Sequence, residues 1–155
     1  MSGTAAVSIV LPLRLCIGIC RNTNNLLLQW DSLDRVVEEL APKFGALVVE
    51  PEHRFYGETL PFGPDKSYTN TALQLLTPQQ ALADAAHFVR HIQELVGCTG
   101  EESTVDGKRG QRCPVITLGG SYPGWMSAMM RLRYPGLVDM AYAASAPMTF
   151  YTQQV

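Results

Sequence analysis

The sequence ITLGGSYPGWMSAMMRLRYPG, residues 116–136, decides the fold of this chain. A short apolar run ends in two glycines and a serine, Ser121, and a helical pattern then continues up to Pro135 and Gly136. This order predicts a buried β-strand, a tight turn and a helix over about residues 123–134. Ser121 then lies at the carboxyl end of its strand, which is the edge where ligands of open α/β sheets bind.

The residues around Ser121 fit a nucleophile elbow, the strained strand-to-helix turn written G-x-S-x-G. Gly119 lies two residues before the serine, whereas Pro123 lies two after it and Gly124 three after it. Proline is tolerated there because a residue in the first turn of a helix needs no N–H. We therefore predict that Ser121 is a nucleophile and that the backbone N–H of Tyr122 donates to an oxyanion, aided by the helix dipole. The alternative is a glycine-rich turn that has no chemistry or that holds an anion.

Three further apolar runs predict strands, at residues 9–19, 45–51 and 137–147. The run at 45–51 is continuous, as in a strand buried on both faces of a parallel sheet. The polar sequence RNTNN, residues 21–25, predicts a loop after the first run. No Lys or Arg precedes that first run, so it is interpreted as a strand rather than as a signal peptide.

Capping residues predict two more helices. Asp31 is a suitable N-cap for a helix over about residues 32–40, and Pro42 follows just beyond its expected end. Thr77 caps a second helix, residues 78–96, which begins with a proline, has a glutamine at its third position and carries an apolar stripe. Strands and helices that alternate in this way predict an α/β fold with a mostly parallel sheet and flanking helices.

Length and composition favour one domain over residues 1–155, because 46% of the residues are hydrophobic and can form a core. The formal net charge of −2 and the scattered basic residues argue against nucleic-acid binding. No run of 18 apolar residues occurs, so we expect no membrane span. Nothing in the sequence indicates the oligomeric state.

The four cysteines suggest no metal site. Cys16 and Cys20 are close in sequence, but no second Cys/His pair lies nearby to complete a zinc site, and we expect neither a metal ion nor a cofactor. Cys98 and Cys113 flank a polar loop. A disulfide between them would stabilise the fold by roughly 3 kcal/mol, and two free thiols are the equal alternative.

Four segments together resemble the serine exopeptidase family of lysosomal prolyl carboxypeptidase, dipeptidyl peptidase II and thymus-specific serine protease. They are FGALVVEPEHRFYGETLPFG (44–63), LTPQQALADAAHFVRHI (76–92), PVITLGGSYPGWMSAMMRLRYPGLVDMAYAASAP (114–147) and, more loosely, PLRLCIGI (12–19). The resemblance implies an α/β-hydrolase fold and a Ser-Asp-His triad with Ser121 as nucleophile. It also implies peptide substrates with proline or a small residue near one terminus, and a lysosomal, vacuolar or secreted setting.

The chain departs from that family in two places. GICRNTNN, residues 18–25, replaces a glycine-rich acidic loop that would help to form the oxyanion hole, which leaves the second oxyanion donor open. In α/β-hydrolases the acid and the histidine follow the serine. Here Asp139 is the only acid after Ser121 and lies too early to match, and every histidine precedes Ser121. The histidines are His53, to which we assign no triad role, and His87 and His91, which we interpret as surface or partly buried side chains.

We therefore expect the nucleophile-bearing part of a serine-type exopeptidase, without the family's cap domain and C-terminal Asp/His part, and inactive by itself. One alternative is a catalytically dead chain that acts through interaction only. The other is an esterase or lipase of the same fold.

Overall fold

A computed structural model describes residues 5–7, 16–22, 31–98 and 113–149 of the chain. In chain order the elements are β1 (Ala5–Val7), β2 (Cys16–Asn22), α1 (Asp31–Phe44), β3 (Leu47–Val49), α2 (Asn70–Leu73), α3 (Pro78–Leu95), β4 (Val115–Gly120), α4 (Ser121–Arg133) and β5 (Met140–Ala144). Four strands form a sheet in the order β1-β2-β4-β5. β1 is antiparallel to β2, and the other two pairs are parallel. The prediction of an α/β fold with a mostly parallel sheet is confirmed.

β4 lies in the interior of this sheet and carries the serine at its end. All six of its residues are buried, because β2 and β5 flank it and helices cover both faces. On one face, Ile116 and Leu118 pack against Val37 and Ala41 of α1. On the other, Val115 belongs to a cluster with apolar residues of α3 and α4. Alternate side chains of a strand point to opposite faces, which is why its sequence is apolar throughout.

α1 is longer than predicted. It continues through Pro42 to Phe44, whereas the sequence placed this proline beyond the helix end. The helix ends instead just before Gly45, whose φ is 59°, and the Ala46 N–H donates to the Ala41 carbonyl at 2.7 Å. This bond from the second residue past the helix is the Schellman arrangement, which needs a left-handed residue and so favours glycine.

The loop predicted at residues 21–25 is wrong for its first two residues. Arg21 and Asn22 belong to β2, because they pair with Ala6 and Ala5 of β1. Of the strand predicted at residues 9–19, the structure describes the part from Cys16 onward, and residues 8–15 and 23–30 lie outside the described part of the chain.

The strand predicted at residues 45–51 is shorter and more exposed than expected. β3 contains three residues, of which Leu47 is exposed. Val48 packs against the α1 side of the sheet and Val49 against the α3 and α4 side. The described helices therefore bury the last two residues partly and leave Leu47 uncovered.

α3 follows its predicted caps. The Thr77 hydroxyl accepts a hydrogen bond from the Gln80 N–H, and Pro78 begins the helix. The helix ends before Gly97, which has a φ of 70°. Of the described helices, α3 included, none is long and apolar enough to cross a membrane.

A disulfide joins the residues that follow α3 to those that precede β4, the strand that leads to the serine. It links Cys98 and Cys113, both buried, with a Cα–Cα distance of 5.2 Å. This separation is ordinary for a disulfide. Of the two alternatives that the sequence left open, the structure shows the bonded pair.

Candidate active site

Ser121 is both the end of the turn after β4 and the first residue of α4. Its φ is 57°, in the left-handed region that residues with a Cβ rarely adopt, and its side chain is exposed. A backbone of this kind costs about 1–3 kcal/mol and persists only where its surroundings impose it. The helix thus begins two residues earlier than predicted, because the strained serine itself starts it.

The turn is so tight that glycine is required at two positions. A Cβ on Gly119 would overlap the backbone carbonyl of Pro123. A Cβ on Gly124 would lie 2.9 Å from the Gly119 carbonyl oxygen and 3.0 Å from that of Ala144 in β5. The second small residue of this elbow is therefore three positions after Ser121, and the buried Pro123 takes the intervening place in the first turn.

Two buried hydroxyl groups hold β4 and α4 together beneath this turn. The Thr117 hydroxyl donates to the Ser127 carbonyl at 3.2 Å, and the Ser127 hydroxyl donates to the Thr117 carbonyl at 2.8 Å. Each residue is 1% exposed, so neither bond competes with water. The pair fixes β4 relative to α4 nearly two helical turns away from Ser121.

Tyr122, the residue after the serine, lies in the first turn of α4. Backbone N–H groups of a first turn have no partner within their helix, and they form the positive end of its dipole. The tyrosine ring stacks on Trp125 at 6.1 Å between ring centroids and 15° between planes. Its backbone therefore lies at the positive end of the α4 dipole, and its ring is packed against Trp125.

His53 contacts the elbow, which the sequence did not predict. Its Nε2 lies 3.2 Å from the Tyr122 hydroxyl, and its Nδ1 lies 2.8 Å from the Arg54 carbonyl oxygen. Burial lowers the pKa of His53, so the ring is neutral near pH 7. A carbonyl oxygen can only accept, so Nδ1 carries the proton and the Tyr122 hydroxyl donates to Nε2. The sequence signal that could have indicated this contact was the EHRFYG segment of the family resemblance, residues 52–57, in which we assigned His53 no triad role.

The segment that carries His53, residues 52–59, is held by its own hydrogen bonds, and we call it the 52–59 loop. The Glu52 carboxylate accepts from the backbone N–H groups of Glu58 and Thr59 at 3.0 and 2.7 Å and from the Thr59 hydroxyl. Phe55 is buried with a φ of 67°. A buried residue in this conformation indicates a loop with one imposed shape.

Arg54 attaches the 52–59 loop to α3. Its guanidinium donates to both carboxylate oxygens of Asp84, at 2.5 and 2.6 Å, and to the Leu75 carbonyl at 3.0 Å. Paired bonds of this kind fix orientation as well as distance.

All three histidines line one cavity of about 530 Å³ between the 52–59 loop and α3. His87 and His91 are exposed on α3, in agreement with their interpretation as surface side chains. In the part of the chain that the structure describes, no group of three His, Cys, Asp or Glu residues is placed to hold a metal ion. The sequence did not predict that the three histidines line one cavity, because the segments that carry them meet only through tertiary packing.

Asp139, the only acid after Ser121, lies at the opposite end of the sheet. Its carboxylate accepts from the Val115 N–H at 2.8 Å, at the start of β4. β4 extends five residue steps from there to Gly120, roughly 17 Å, before the serine begins. Asp139 therefore joins two strands and does not belong to the site around Ser121.

A mostly parallel α/β sheet with a strained serine between a buried strand and a helix is the arrangement that carries the nucleophile in α/β-hydrolases. The family description "Serine carboxypeptidase S28" matches residues 26–154, most of the chain. The chain belongs to this family, whose members are serine peptidases.

Several curated proteins are similar to the chain. Lysosomal Pro-X carboxypeptidase of Mus musculus is 44% identical over 128 residues, which are 83% of this chain and 22% of that protein. "Prolyl carboxy peptidase like protein 5" of Caenorhabditis elegans is 44% identical over 115 residues, 74% of this chain and 20% of that protein. Thymus-specific serine protease of Mus musculus is 36% identical over 110 residues, 71% and 19% respectively. The chain thus spans about a fifth of the length of these relatives.

Proposed function

We propose that this chain is the nucleophile-bearing part of a serine-type exopeptidase, a partial α/β-hydrolase domain over residues 1–155. The observation that carries the proposal is the backbone of Ser121, whose φ of 57° stores strain at the carboxyl end of an interior parallel strand. Membership of a serine peptidase family supports it. The substrate is a peptide with proline or a small residue near one terminus, and the compartment is lysosomal or secreted. The name of the lysosomal Pro-X carboxypeptidases supports the proline preference and the lysosomal compartment.

In this reaction the Ser121 hydroxyl oxygen attacks the carbonyl carbon of the peptide bond. The Tyr122 N–H donates to the oxyanion that forms, and the N-terminal end of α4 stabilises the same negative charge. The second oxyanion donor is expected near residues 18–25, of which 23–25 lie outside the described part of the chain.

The reaction also needs a base to take the serine proton and an acid to orient that base. Within the described residues no hydrogen bond involves the Ser121 side chain, and both ring nitrogens of His53 are already engaged. Asp139 lies at the far end of β4. We therefore propose that the triad acid and histidine come from polypeptide other than these 155 residues, and that the 155 residues alone are inactive.

Labelling with a fluorophosphonate probe tests the nucleophile in the full-length protein that carries this segment. Ser121→Ala should abolish labelling and peptide hydrolysis, while Ser145→Ala should label fully. Ser145 is the matched control because it is also an exposed serine and follows the neighbouring strand β5. Full labelling of the Ser121→Ala protein would overturn the assignment. Hydrolysis of esters without hydrolysis of peptides would favour an esterase or lipase. A full-length protein that never labels would favour a role in interaction only.

Hydrolysis of a fluorogenic peptide that contains proline tests whether the catalytic base lies outside these 155 residues. The 155 residues alone should show no turnover from acidic to neutral pH, because loss of the base costs on the order of a million-fold in a serine protease. Turnover that disappears in Ser121→Ala would show that the base lies within these residues.

A further inference from the structure

We infer that His53 is a positioning residue for the oxyanion site, and that it acts by holding the Tyr122 side chain through the hydrogen bond from the Tyr122 hydroxyl to Nε2. This inference rests on the proposed function, since it assigns Tyr122 the oxyanion donor of a reaction at Ser121. The contact joins residues 69 positions apart in the sequence.

The elbow needs support of this kind because its own helix supplies little. Ser121 is in a strained conformation, and the N-cap of α4 is Gly120, a residue with no side chain that could cap the helix. With glycine at the N-cap, the direction of the Tyr122 N–H depends on how the first turn packs against other parts of the fold. Within α4, Trp125 stacks on the Tyr122 ring. The ring contact from outside this helix is His53, at 5.9 Å between centroids.

The support is effective because His53 is itself fixed. Its Nδ1–H is bonded to the carbonyl of Arg54, and the Arg54 side chain is bonded to Asp84 and to the Leu75 carbonyl. The Glu52 carboxylate holds the other end of the 52–59 loop. His53 is only 7% exposed, so water cannot readily replace either ring contact. The 52–59 loop thereby fixes the position of Tyr122, the residue that follows the nucleophile.

The two ring nitrogens can be tested separately with amide side chains. The amide of Gln places an oxygen near the position of Nε2 and can still accept from the Tyr122 hydroxyl. The amide of Asn reaches only the Nδ1 position and can still donate to the Arg54 carbonyl. His53→Gln and His53→Asn are thus a matched pair, and Tyr122→Phe removes the hydroxyl while retaining the ring. His87→Gln is the control, because His87 lines the same cavity and lies on α3.

The assay measures kcat, KM and the fluorophosphonate labelling rate of each variant in the full-length protein. His53→Asn and Tyr122→Phe should each lower kcat and the labelling rate by about 10- to 100-fold, the cost of a small misplacement in an active site, with KM unchanged. His53→Gln should recover most of the loss, and His87→Gln should behave as the unmodified protein. The combined His53→Asn/Tyr122→Phe variant should be no slower than either single variant, because both remove the same bond.

Each contrary result has a distinct meaning. If His53→Asn and Tyr122→Phe lower the melting temperature but leave kcat and labelling unchanged, His53 is a packing residue and the inference is wrong. Multiplied losses in the combined variant, or a rise in KM alone, would also overturn it. These outcomes leave the proposed function intact as long as Ser121→Ala abolishes labelling. If Ser121→Ala still labels, the proposed function fails as well.

Discussion

Replacement of Gly119 by alanine tests the geometry of the elbow most directly. The new Cβ would overlap the carbonyl carbon and oxygen of Pro123 and lie 2.7 Å from the Gly124 nitrogen. These are backbone atoms, which cannot rotate away, so the turn between β4 and α4 must open. Overpacking of this kind costs typically 1–3 kcal/mol, and the absence of any movable side chain places this case near about 3 kcal/mol. Alanine also reduces the conformational entropy of the unfolded chain, which stabilises the folded protein by about 0.4–1 kcal/mol.

The net effect of Gly119→Ala is a loss of about 2 kcal/mol, which lowers the melting temperature by about 4–8 °C in a chain of this size. Gly136→Ala is the control. No atom of the described residues lies within 4 Å of its added Cβ, and the backbone there is not left-handed. This variant should therefore be as stable as the unmodified protein or slightly more stable. Thermal unfolding followed by circular dichroism compares the two. Equal melting temperatures would refute the close approach of the Pro123 carbonyl to Gly119, and with it the tightness that we attribute to the elbow.

The remaining predictions concern the disulfide and the loop beside the elbow. Reduction of the Cys98–Cys113 bond, or replacement of both cysteines by serine, should cost about 3 kcal/mol, and identical urea midpoints with and without reductant would contradict this. Arg54→Lys should cost about 1 kcal/mol, because lysine cannot form the paired bonds and Asp84 is half exposed; a double-mutant cycle with Asp84→Asn should show coupling, and additive losses would argue against it. Burial lowers the pKa of His53, so the unfolded chain binds more protons than the folded one below about pH 6.5. The contribution of neutral His53 to stability is complete above that pH and is lost as the pH falls toward the lowered pKa. His53→Gln should therefore reduce the loss of stability on acidification. An unchanged pH dependence in this variant would show that other groups cause the loss.

The amino-acid sequence determined the features of this protein that depend on local interactions. Thr77 and the apolar stripe after it predict α3 at its observed position, because a cap and a helical period act within one turn of the chain. The order of strand, glycines, serine and helix predicts the elbow for the same reason. The family resemblance required only that such local motifs occur together in one order. Ser121 and Tyr122 were thus identifiable as site candidates from the sequence.

Contacts between distant segments were decided by tertiary structure. The end of α1 depends on Gly45 rather than on Pro42, since a hydrogen bond across a left-handed residue stops the helix. Arg21 extends a strand because β1 supplies a partner. Whether Cys98 pairs could not be read from spacing, because a disulfide requires two Cα atoms at the right distance in the folded chain. The contact of His53 with the elbow is of the same kind. A hydrogen bond across 69 residues leaves no periodicity in the sequence, since its two partners meet only when α3, β4 and the loop pack together.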